Sequence, residues 1–142
     1  MSKKLNIVPD VAGIAREMTG KSQMMIVIGK LLKLSLINKI VFILNNIVFM
    51  PKLLKMDYAV GVKILCELEI LSKKRRNEYV LHNQMVDMAL GIRNKQVLEN
   101  FFRLAKIYDF SPGLLTANYD MLMKMVGSIK TVPKNAKFYK LF

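Results

Sequence analysis

The chain has 142 residues, 53% of them hydrophobic and 23% charged, with 23 Lys+Arg against 10 Asp+Glu for a formal charge of +13 at neutral pH. That length suits one domain of roughly 100 to 200 residues, and the apolar content excludes a disordered polymer. A lone cysteine, Cys66, allows no internal disulfide, and with a lone histidine, His82, it offers no metal-ligand set, so an intracellular chain without metal or cofactor is expected. The basic surplus favours a polyanionic partner, and nucleic acid, DNA ahead of RNA, is the first expectation. Charge is also segregated, since no acid occurs between Glu17 and Asp57 or after Asp120.

In chain order, Met1-Ser2-Lys3-Lys4 is basic, but Leu5 to Val8 runs at once into Pro9 and Asp10, too short for a secretory signal. Val11 to Met18 reads as a short helix. Lys21 to about Asn46 reads as one long apolar helix or two shorter ones, with β character at Lys39 to Phe49 where Ile, Val and Phe dominate. Met24 to Met50 is long and apolar enough to raise a membrane span, yet it contains Lys30, Lys33 and Lys39, each costing about 2.5 to 3.5 kcal/mol at a bilayer centre. A core element or dimer interface at Met24 to Phe49 is the expectation, and a membrane partner is not.

From Met56 to Ser72 the apolar positions Val60, Ile64, Leu65, Leu68 and Leu71 form one helical stripe. After the basic run Lys73-Lys74-Arg75-Arg76, Tyr79 to Leu81 suits a brief strand. His82 to Leu90 is then a short helix that Gly91 would end in a left-handed cap. Asn94 is placed to cap the next helix, where Val97, Phe101, Leu104 and Tyr108 recur at helical spacing. Ser111 as cap and Pro112 in a first turn predict a further helix through Leu115, Tyr119, Leu122 and Val126 to Gly127. In the acid-free tail, Ile129 to Val132 and Phe138 to Phe142 could pair as a hairpin across Pro133-Lys134-Asn135.

No enzyme chemistry emerges. His82 has no serine or cysteine nucleophile near it in sequence, Glu67 and Glu69 have no evident counterpart, and Gly13 to Gly20 lacks the Lys-Ser/Thr of a phosphate loop. The eleven methionines read as core filler.

Asn83 to Leu104, NQMVDMALGIRNKQVLENFFRL, resembles the helix-turn-helix unit of winged-helix and repressor-type DNA-binding proteins. Gly91 stands at the turn, Ile92 after it, and Val97 five further on. Asp87 and Asn100 depart from the pattern, since a small residue and a buried aliphatic group are usual there. The resemblance implies a mainly α single domain, with residues 1–55 an apolar, basic helical part and residues 56–142 a winged-helix-like trihelical core with the tail hairpin as its wing. It also implies that Arg93, Asn94, Lys95, Gln96, Asn100 and Arg103 face nucleic acid, where such residue types pair with guanine or adenine edges or contact phosphates. Lys73, Lys74, Arg75 and Arg76 would lie beside it.

A second register, Asn46 to Leu81, also resembles a winged helix, with Pro51 to Met56 as second helix, Val60 to Leu68 as third and Lys73 to Glu78 as wing. Its third helix offers outward only Lys63, together with Glu67 and Glu69, which phosphates repel. The expected role is non-enzymatic transcriptional or replication control. The alternatives are a basic structural subunit of a nucleoprotein or viral assembly, or a peripheral membrane protein whose Met24 to Met50 lysines meet anionic lipid.

Overall fold

A computed structural model describes residues 6–9, 23–49, 51, 58–72 and 76–141. The chain divides into two compact units, one of residues 1–8 with 76–142 and the other of residues 9–75. The expected helix at Val11 to Met18 and the basic residues Lys73, Lys74 and Arg75 lie outside the described residues.

The second of these units is helical: α1 (Gln23–Leu32), α2 (Leu36–Asn46) with a 3₁₀ turn at Ile47–Phe49, and α3 (Tyr58–Ser72). Ser35 separates α1 from α2, its hydroxyl accepting the Asn38 N–H at 3.3 Å. The apolar run is therefore two helices, and Lys39 to Phe49 is helical where β character was expected. Val27, Leu34, Phe42, Val60, Ile64 and Leu68 form the core of this unit. Residues 59–70 of α3 are buried all round, including Lys63, Glu67 and Glu69. That burial overturns the second register, since Lys63 has no outward face to send into a groove.

The first unit overturns the mainly α expectation. It is built on a four-stranded sheet of β1 (Ile7–Val8), β2 (Glu78–Leu81), β3 (Ser111–Thr116) and β4 (Lys137–Lys140), in the order β1-β2-β3-β4, and every pairing is parallel. Helices α4 (Asn83–Gly91) and α5 (Gln96–Tyr108) connect β2 to β3, and α6 (Tyr119–Gly127) connects β3 to β4. The architecture is α/β, with six α-helices and this sheet among the described residues. Neither the trihelical winged-helix core nor the hairpin is present among the described residues. Phe138 lies opposite Leu114 in a parallel ladder, while residues 129–132 form no strand, 130 and 131 lying in a turn.

Ser111-Pro112-Gly113 opens a strand, not a helix, and the reason is geometric. In a parallel ladder alternate residues direct their N–H groups to opposite neighbours. Ser111 N–H donates to Asn77 O on the β2 side at 2.8 Å, so position 112 addresses the β4 side. There the first strand pair is Gly113 with Lys137, and the missing N–H of Pro112 falls just before it. The Ser111 hydroxyl donates instead to Asn135 O at 2.7 Å. The true start of α6 is at Asn118, whose Oδ1 accepts the Met121 N–H at 3.4 Å.

On one sheet face Glu78, Val80, Gly113, Leu115, Lys137 and Tyr139 share rows. The Tyr139 ring crosses β3 at Gly113, and its hydroxyl donates to Glu78 Oε1 at 2.9 Å, while Lys137 Nζ lies 3.1 Å from Glu78 Oε2. The bond to Glu78 raises the Lys137 ammonium above its ordinary range; burial first, then the same carboxylate, raises Tyr139. On the other face Tyr79 meets Phe110 edge-on with centroids 5.0 Å apart, and Phe101 of α5 packs on Phe110.

Candidate nucleic-acid interface

Helix α4 starts at His82, whose Nδ1 accepts the Gln84 N–H at 3.0 Å. Its one departure from a helix-turn-helix pattern has a structural cause. Asp87 accepts from the Thr116 hydroxyl and from the Ala117 N–H at 3.1 Å, tying α4 to the end of β3. Ile92, the apolar residue expected after the turn, is 52% exposed, whereas Val97, expected to lock the second helix against the first, is 1% exposed.

The left-handed residue that reverses the chain is Arg93 (φ 55°), two positions after the expected Gly91, which stays helical. Asn94 N–H reaches back to Ala89 O at 2.8 Å and Arg93 N–H to Leu90 O at 3.3 Å, the paired bonds of a Schellman motif with arginine where glycine is usual. An L-residue there costs roughly 1 kcal/mol. Arg93→Gly is therefore expected to raise stability by about 0.5–1 kcal/mol in urea unfolding. A loss of stability would mean that the arginine side chain itself holds the turn.

The N-cap of α5 is Lys95, one residue after the expected Asn94, and it makes no side-chain cap bond; Asn94 Oδ1 instead accepts the Gln96 N–H at 3.2 Å. The amphipathic α5 buries Val97, Leu98, Phe101, Phe102 and Leu104, and turns Gln96, Arg103, Lys106 and, in part, Glu99 outward. Of the expected contact residues, Arg93, Lys95, Gln96 and Arg103 are exposed and Asn94 is partly so. They form one stretch, from the turn along the outward stripe of α5. Asn100 does not belong to it, being 7% exposed on the inward side and closed to a base edge.

Along the far half of α5 runs a groove of about 710 Å³, walled by Phe102, Arg103, Lys106 and Asp109 on one side and Val132 and Pro133 on the other. Lys134, exposed, follows Pro133 directly. Arg76, also exposed, precedes Asn77, which is bonded to Ser111 at the start of β3. The cations thus continue from Arg93 past Arg103 and Lys106 toward the amino-terminal edge of the sheet. Lys106 was missed in the sequence, although its i+3 spacing from Arg103 puts both on the outward stripe. Glu99 and Asp109 are the acids on this side.

Elsewhere the chemistry is spare. Among the described residues no group of three His, Cys, Asp or Glu could hold a metal ion. The Cys66 thiol is raised well above its ordinary range, by burial first and then by Glu69. At the carboxyl ends of β3 and β4 a cleft of about 250 Å³ is lined by Thr116, Asn118, Tyr119, Asp120 and Lys140, with Lys140 Nζ 4.8 Å from the Tyr119 ring centre. Among the described strands the order does not reverse, so they form no switch-point crevice of the kind that holds nucleotides in doubly wound folds. No family model, curated protein or solved structure matches the chain.

Proposed function

We propose that the protein is a non-enzymatic nucleic-acid-binding protein that meets duplex phosphates with the cations of the α4–α5 turn and the outward stripe of α5. The supporting observation is the exposed series Arg93, Lys95, Arg103 and Lys106 on one helix and its leading turn, in a chain of charge +13. The 13 residues of α5 extend about 20 Å, the length of roughly six base pairs at 3.4 Å each. Gln96 is the one exposed amide on that stripe. With Asn100 buried, contact is to the backbone first, and transcriptional or replication control remains the proposed setting.

Titrating salt against binding to random-sequence duplex DNA, beside single-stranded RNA, tests this. Duplex affinity should fall steeply with salt, by about 0.9 in log–log slope per phosphate neutralised. Arg103→Glu with Lys106→Glu should reduce that slope by about 2 and weaken binding at least tenfold on every sequence. Absence of duplex binding at low salt, or a double variant that binds as the parent does, would overturn the proposal.

A further inference from the structure

Helix α2 packs Phe42 and Asn46 inward and leaves Leu36, Ile37, Ile40, Ile43 and Leu44 exposed, and Ile47 and Val48 of the following turn continue the series. Exposure runs from 50% at Ile40 to 79% at Val48. At helical spacing these side chains cover an arc of about 140°, wider than the stripe of roughly 100° with which a surface helix meets one core. Ile28 and Leu32, one turn apart on α1, are exposed as well. Seven exposed apolar side chains in succession on one short helix and its turn are unlike the singly scattered apolar residues of an ordinary soluble surface.

Charge selects what covers this arc. The only charged residues in 23–49 are Lys30, Lys33 and Lys39, with Lys33 exposed and the other two partly exposed. A second copy would bring the same lysines to the same rim in a chain already at +13, whereas an anionic bilayer supplies an apolar interior bordered by negative headgroups. We infer that α2 and the end of α1 form a membrane-surface element, the apolar arc in the acyl region and the lysines among anionic lipid headgroups. The 11 residues of α2 span about 16 Å, half of a hydrocarbon core of roughly 30 Å, so the helix lies in the surface. No described helix is long and apolar enough to cross a membrane.

The test is co-sedimentation of the full chain with vesicles of phosphatidylcholine alone and of phosphatidylcholine containing phosphatidylserine, at low and high salt. Binding is expected on the anionic vesicles, at least tenfold tighter than on neutral ones, and weaker in high salt. Ile37→Glu with Leu44→Glu replaces exposed side chains, so the fold should persist by circular dichroism while vesicle affinity falls at least tenfold. Lys33→Glu with Lys39→Glu should weaken binding to anionic vesicles and leave neutral ones unaffected. The inference is overturned if neither vesicle binds the protein, or if the Ile37/Leu44 variant binds as the parent does. A concentration-dependent dimer that this variant abolishes, without vesicle binding, would assign the arc to a second copy and overturn it equally. Retained duplex binding by the variant keeps the result separate from the α5 reading.

Discussion

Replacing Glu67 with Leu should destabilise the protein by about 3–5 kcal/mol, a large part of the roughly 5–15 kcal/mol that holds a domain folded. The Lys63 and Glu67 side chains are fully buried on α3, with Nζ 3.5 Å from Glu67 Oε1 and 2.8 Å from Asn46 Oδ1. Asn46 Nδ2 donates to the same Glu67 oxygen at 2.7 Å and to Phe42 O at 2.8 Å, so the pair is joined to α2. Deleting the carboxylate keeps an ammonium away from water without its counter-charge. Deleting both charges, Lys63→Met with Glu67→Leu, removes that penalty, and the double variant should recover most of the loss, remaining below the parent by the roughly 1–3 kcal/mol of the buried Asn46 Oδ1 left without its donor. Urea midpoints at unchanged m-value measure the cycle. A Glu67→Leu variant as stable as the parent would show that the pair contributes nothing to the fold.

Gly113→Val should cost about 2–3 kcal/mol, and Gly113→Ala somewhat less. A Cβ at this position would stand 2.9 Å from Val80 Cγ2 and 3.0 Å from Tyr139 Cε2, and Val80 is fixed in the centre of the sheet. The tyrosine must then move, taking its hydroxyl from Glu78 and exposing it. Its titration reports this directly. Burial and Glu78 hold Tyr139 above the ordinary tyrosine value of 10.0. The stability this contributes is present below that value and is lost as pH rises through the raised one. In the variant Tyr139 should titrate nearer 10 by ultraviolet absorbance, and the alkaline loss of stability should shrink. An unchanged titration with full stability would mean that the sheet absorbs the methyl groups without displacing the ring.

The helices were readable because their signals are local. Asn94 and the stripes of α3 and α5 lie within a few turns of the groups they bond or bury, and α5 falls close to where Val97, Phe101 and Leu104 place it. The error at Ser111-Pro112-Gly113 came from the same local logic. Serine before proline is a good helix start, and nothing within six residues says that residues 77, 135 and 137 will lie beside it. β2 was legible at Tyr79 to Leu81, but strands of two to six residues carry too little pattern to declare their partners, which in this parallel sheet are tens of residues away. Likewise, Asp87 looked like a flaw in a helix-turn-helix until Thr116 and Ala117, 29 and 30 residues on, supplied its donors.

The residues themselves determined the basic balance, the amphipathic helices and the set of cations from Arg93 to Arg103, because charge and 3.6-residue periodicity need no partner to be read. Tertiary structure alone decided that the β2, β3 and β4 segments join one parallel sheet, that Asn100 faces inward, that Lys63 is sealed with Glu67 and Asn46, and that the apolar arc of α2 stays open. Each of these depends on which distant segment occupies the adjoining space, and burial and strand pairing are properties of that neighbour as much as of the residue.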